Sequence, residues 1–317
     1  MMKKRNIKQI LLAAVFFASA MATAQQDPQY THYMYNMSVI NPGYATDTPG
    51  VINVGGLYRT QWVGAVGAPK TVNVFGHAPV GKRLEAGLSI VSDEIGDVVK
   101  ENNLYADIAY VIPTGESTKI SFGVKAGITF FNADFNGFQY SDTTPDPAFA
   151  ENINQTFPNL GVGAFYFGEQ YYIGLSAPNL LRTKHLERQN AIATIGVEEI
   201  HYFFTGGYVF NVSDRLKLKP AFMAKAVSGA PVSLDVTANM LYNSFIEFGV
   251  GYRMDDSVAG LVGVYVTPAL RIGYSYDYTL TNLGNFNSGT HEFFLLYDIG
   301  SDTGAKGKGY DKSPRFF

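Results

Sequence analysis

The sequence predicts an all-β transmembrane barrel of the outer-membrane type, with about fourteen antiparallel strands and both termini periplasmic. Three observations lead there. An export signal opens the chain, many segments alternate apolar residues with small or charged ones, and aromatic residues gather at the segment ends.

The export signal occupies residues 1–24. Lys3, Lys4, Arg5 and Lys8 form a basic start, and Ile10 to Ala20 form an apolar run. Ala22-Thr23-Ala24 then supplies small residues at the cleavage positions, so cleavage is expected between Ala24 and Gln25. The apolar run falls short of the ~20 residues that a helical span needs. The chain has no Cys, which excludes a lipoprotein signal, disulfides and thiol chemistry. Four of the 24 basic residues lie in the signal, which leaves 20 against 27 acidic ones and a net charge of −7. A nucleic acid is not an expected partner of such a chain. No apolar stretch of roughly 18 residues follows the signal, so crossing a membrane falls to strands.

The alternation supplies the strands. Val232, Leu234, Val236, Ala238, Met240 and Tyr242 enclose Ser233, Asp235, Thr237 and Asn239. Ile120 to Phe130 and Leu270 to Leu280 repeat the pattern, with Lys125, Arg271 and Asp277 among the off-phase residues. The apolar faces run about ten residues, the length of a tilted membrane strand. Tyr58, Trp62, Tyr110, Tyr242, Tyr252 and Tyr278 stand near segment ends, as interfacial girdles do. Expected strands are 51–62, 70–80, 83–93, 102–113, 118–132, 158–168, 170–178, 200–211, 215–228, 231–242, 244–254, 257–267, 269–281 and 289–300. Short turns alternate with longer connections, chiefly 133–157 and 179–199, which are expected outside the cell, although 229–230 and 255–256, which belong to the long set, are short. The barrel domain is 50–300.

Off-phase charges should face the lumen, because charge on the lipid face costs about 2–4 kcal/mol at the midplane. These are Arg59, Glu85, Asp107, Lys125, Lys217, Lys219 and Lys225, followed by Asp235, Glu247, Arg253, Arg271, Asp277 and Glu292. They suit a filled, salt-bridged interior or a conduit for polar solutes, and the filled interior is favoured. Residues 25–49 are polar and aromatic and form either a disordered leader or a plug folded into the lumen. Residues 301–317 are a flexible periplasmic tail ending in Pro314, Arg315, Phe316 and Phe317, read as an exposed contact epitope. Chemistry is hard to find. The five His are scattered, no metal-ligand spacing occurs, and neither a nucleophile elbow nor a phosphate loop is present. No enzyme activity, metal or cofactor is expected.

The blocks Gln26-Asp27-Pro28-Gln29-Tyr30, Tyr33-Met34, Asn36 and Ile40-Asn41-Pro42 resemble the opening of the PorP/SprF family of Bacteroidetes type IX secretion and gliding systems. The likeness continues through Arg59, Gln61-Trp62, Gly67-Ala68-Pro69-Lys70-Thr71, Gly87 and Ser89. It extends to Gly174-Leu175-Ser176-Ala177-Pro178-Asn179-Leu180-Leu181 and to the terminal Ser313-Pro314-Arg315-Phe316-Phe317. One departure is Gly43, where the family pattern has Ala after Asn-Pro. The resemblance implies an outer-membrane barrel that supports surface delivery or anchoring of a secreted adhesin with a C-terminal secretion domain. It also implies contact with the secretion or gliding machinery, besides the membrane lipid around any barrel. The alternative is an outer-membrane channel for small hydrophobic or polar solutes.

Overall fold

In the computed structural model, residues 28–135, 152–181 and 199–300 are described. The signal with Ala24 and Gln25, the middles of the two longest loops, and the tail with Pro314 to Phe317 lie outside them.

The alternating segments become one closed wall. Its strands are β1 (Ile52–Thr60), β2 (Lys70–Pro79), β3 (Leu84–Ile95), β4 (Val99–Pro113), β5 (Lys119–Ala133), β6 (Ile153–Phe167) and β7 (Tyr171–Ala177). Then come β8 (His201–Tyr208, resumed as Phe210–Ser213), β9 (Leu216–Val227), β10 (Ser233–Tyr242), β11 (Ile246–Arg253), β12 (Ser257–Tyr265), β13 (Leu270–Thr279) and β14 (Thr290–Ile299). Both pieces of β8 pair with β9, with a register shift at Leu216/Lys217, so the wall has 14 strands. Each strand pairs antiparallel with its sequence neighbour, and β1 pairs with β14 from Ile52↔Ile299 to Thr60↔His291. Closure leaves no strand at the edge of the sheet, as a sheet in hydrocarbon requires. No helix among the described residues is long and apolar enough to cross a membrane.

The two faces sort as the pattern demands. Outward residues such as Leu88, Val124 and Val250 are more than half exposed, although each is aliphatic. A belt of this kind is stable only against lipid. Inward, Arg59, Glu85, Asp107, Lys125, Lys219 and Lys225 are buried, as are Asp235, Glu247, Arg253, Arg271, Asp277 and Glu292. Lys217, near the end of its strand, is only half-buried. The start of β1 and the end of β14 lie at the rim of the short turns, which is the periplasmic rim by the usual rule for such barrels, whereas Gln29 lies beside Gln61, Trp62 and Thr290 toward the long-loop rim.

Some boundaries differ from expectation. β4 starts at Val99 and β6 at Ile153, so β4 to β6 each run 15 residues and the connection between β5 and β6 is shorter than expected. β1 stops at Thr60, so Trp62 leaves the wall for a loop. There its φ is +44°, in the left-handed region. Gln61 N donates to Pro69 O at 2.9 Å and Val63 N to Gly289 O at 2.8 Å. These bonds turn the chain out of the wall before Trp62 could join the girdle.

A charge placed on the lipid face tests this wall. Leu88→Arg should lower unfolding free energy in lipid vesicles by about 2–4 kcal/mol. Val66→Arg, on a loop, should change it by less than about 0.5 kcal/mol. Guanidinium titrations of the two variants check the contrast.

Candidate functional site

The part of the molecule that the wall pattern does not explain is the leader, and the structure places it inside the barrel. Residues 33–35 form a 3₁₀ turn and Met37–Ile40 one turn of α-helix. Tyr30, Tyr33, Met34, Tyr35, Met37, Ile40 and Tyr44 are buried in one cluster with Leu57, Phe75, Phe165 and Phe294 of the wall. Four residues of helix have no stability of their own in water. The burial of these side chains, and sockets in the wall, hold the segment.

Two glutamates hold its two ends. At one end, Glu292 accepts hydrogen bonds from Thr31 N at 2.9 Å and His32 N at 2.7 Å, with His32 Nδ1 at 2.9 Å. Arg59 joins this group, donating to Glu292 at 2.9 Å, to Thr31 Oγ1 at 2.8 Å and to Asp277 at 3.1 Å. At the other end, Glu85 accepts from Thr46 N at 3.0 Å, Thr46 Oγ1 at 2.9 Å and Asp47 N at 2.7 Å. His77 lies between Glu85 and Asp107, at 3.2 and 3.5 Å. Carboxylates accepting paired backbone N–H groups in a nearly dry interior make strong, directional bonds.

Between these ends the leader lies flat on the wall. Asn36 accepts from Asn73 Nδ2 at 2.7 Å. Asn41 Nδ2 donates to Ala164 O at 3.0 Å, while its Oδ1 accepts from Gly43 N at 2.8 Å. Ser176 donates to Ile40 O at 2.9 Å, and Ser121 donates to Gly43 O. The approach is so close that a Cβ on Gly123 would sit 1.9 Å from Pro42 O, and one on Gly163 2.0 Å from Asn41 Oδ1. Gly43 has the same reason, since its Cβ would sit 2.8 Å from the Gly163 carbonyl. The departure from the family pattern is therefore a packing feature. Pro42 suits this turn because it has no N–H to leave unpaired.

Tyr35 donates to Glu247, and the Arg271 guanidinium lies 5.0 Å from the Tyr35 ring centre. Burial, then the Glu247 charge, pushes the Tyr35 phenol well above its ordinary range. Burial, then Tyr172, does the same to Tyr33. Three lumen hollows lined by described residues have volumes of about 20, 20 and 50 Å³, room for a water or two each.

The singled-out residues thus divide by place. Asn36, Asn41, Pro42 and Arg59 meet in the leader and its sockets. Gln61, Trp62 and Pro69 sit together at the long-loop rim, where Trp62 N donates to Thr290 Oγ1 at 3.1 Å. Ala24, Gln25 and Pro314 to Phe317 are outside the described residues. Sequence reasoning missed the socket residue Asn73 and gave no role to Ser121, an off-phase residue of its strand, or to Ser176, which it quoted only within the family resemblance. Period-2 phase marks all three as inward-facing, but no pattern names their partner.

Two outcomes follow. Because the chain has no Cys, Met34→Cys is a clean probe of the lumen. Its maleimide labelling should be slow, and Glu292→Gln should speed it by at least about 100-fold, since breaking a buried pair costs about 3–5 kcal/mol, or roughly 150- to 5,000-fold. Unchanged labelling would count against the socket. The tyrosines set an alkaline limit. A raised phenol pKa stabilises the docked leader fully below the unfolded value of about 10, and this is lost as pH rises through the folded value. Labelling of the Met34→Cys variant should be flat from pH 7 to about 10 and rise above it, once the thiol's own ionisation is divided out.

The family described as type IX secretion system membrane protein PorP/SprF matches residues 22–297. No curated sequence matches the chain. Among solved structures, a Pseudomonas aeruginosa FadL homologue is 13% identical, with 89% of this chain and 96% of that one covered and a TM-score of 0.48. The Ralstonia pickettii toluene transporter TbuX is 11% identical, with 82% and 92% covered and a TM-score of 0.49. The Acinetobacter baumannii outer membrane protein Omp33 is 10% identical, with 80% and 98% covered and a TM-score of 0.45. With a family match over nearly the whole span from the leader through β14, the chain belongs to the PorP/SprF family of type IX secretion system membrane proteins of the outer membrane.

Proposed function

We propose that this protein is a non-enzymatic partner in type IX secretion that receives or anchors a secreted adhesin at its long-loop rim. The tail, 301–317, reaches the secretion or gliding machinery in the periplasm. Family membership supports the secretion role. The observation that carries the rest is the filled lumen. Residues 30–46 occupy it and are held at both ends by buried carboxylates. A barrel stoppered by its own chain offers partners its rims and outer wall rather than a bore. The alternative channel reading requires the leader to leave, which means breaking both sockets together.

Deletion of 310–317 tests the tail. The barrel should still insert, and surface display of the partner adhesin should fall severalfold. Normal display from that truncation removes the tail from the mechanism. Planar-bilayer recording of the purified full chain separates the two readings, because a large, stable conductance would favour the channel over the anchor.

A further inference from the structure

The lipid-facing wall is not uniformly convex. Across β12, β13, β14, β1 and β2 it carries a hollow of about 620 Å³ on its outer side, within the range of small-molecule sites. Cross-strand register explains how it forms. Tyr274, Phe293 and Tyr58 stand side by side across β13, β14 and β1 and make an aromatic ridge. The next row toward the short-turn rim reads Ile272, Leu295, Gly56, Val74. Gly56 leaves a gap in that row, between Leu295 and Val74. The lining is apolar, and Phe293, Leu295 and Val74 are each about half exposed. The hollow is continuous with the belt that meets the bilayer.

The row on the other side of the ridge, toward the long loops, is polar. Tyr276, His291, Thr60 and Lys70 succeed one another there across β13, β14, β1 and β2. His291 Nδ1 lies 2.7 Å from the Tyr274 hydroxyl, and Lys70 is exposed. An apolar slot therefore ends beneath polar groups and a cation at the interface.

The geometry points to a binding site for one outer-leaflet lipid, with an acyl chain in the slot over Gly56 and an anionic head group beside Lys70. The occupant is an amphiphile because only such a molecule matches both rows at once. The site rests on the barrel fold alone and is independent of the secretion role. A lipid held there would cover the seam where β1 meets β14 and sit beneath the rim that carries Gln61 and Trp62.

Gly56 also supplies the test. A Cβ added there meets nothing nearer than Asn73 O at 3.8 Å, so a side chain can fill the slot without disturbing the wall. Gly260, also outward-facing but not part of the lining, has nothing within 4 Å of its Cβ position and serves as the control. Native mass spectrometry would follow phosphatidylglycerol and phosphatidylcholine titrated into the purified full chain. The wild type should hold one phosphatidylglycerol, and Gly56→Phe should weaken it about tenfold. Gly260→Phe should bind like the wild type, with heat-modifiable gel migration showing that all variants are folded. Lys70→Glu should reduce phosphatidylglycerol binding to the phosphatidylcholine level. Binding by folded Gly56→Phe equal to the wild type would overturn the site. Equal binding of both lipids by the wild type would overturn the head-group assignment.

Discussion

In hydrocarbon an unpaired backbone amide or carbonyl costs several kcal/mol, and no water is present to relieve it. That constraint explains the closure of β1 on β14 from Ile52↔Ile299 to Thr60↔His291. A closed antiparallel wall forces side chains to alternate in and out. The outward set must be apolar where it meets hydrocarbon, so charges in the middle of the wall are driven to the lumen and outward ones such as Lys70 stand at strand ends. A lumen packed with Arg59, Asp277, Glu292, Lys219 and Glu247 cannot be left dry and unpaired. The leader meets that need.

Plug and wall are therefore mutually dependent. The leader has too little helix to stand alone, and the buried carboxylates need donors that the wall does not fully provide. Glu292 draws on Arg59 from the wall and on Thr31 and His32 from the leader. Glu85 draws on Thr46 and Asp47. Release of the leader would take these donors from both acids and open the lumen to water. This coupling makes the plugged barrel a stable unit and moves recognition to its outside.

The outer surface has its own organisation. The same register that stacks Tyr274, Phe293 and Tyr58 into a ridge leaves the slot at Gly56 beside it. One rule of alternation thus yields both the smooth belt and the local hollow, depending only on side-chain size along a row. Gln61, Trp62 and Pro69 close the rim above, by bonds within their own loop and to Thr290 at the start of β14 rather than by strand pairing.

The sequence by itself determined the wall. Alternation over segments such as 232–242 and 270–280, with short turns between, specified fourteen strands, their faces and the inward charges, because strand periodicity is local. It also marked Asn36, Asn41, Pro42 and Arg59 through a family resemblance, without saying what they do. Only the tertiary structure decided that the leader is a plug, since its partners lie up to 261 residues away and no local pattern records them. The same holds for Trp62, whose turn depends on Gly289 and Thr290, and for the Gly56 slot, which needs five strands in register before it exists. Contacts between distant segments are set by closure of the wall, and closure is a property of the whole chain.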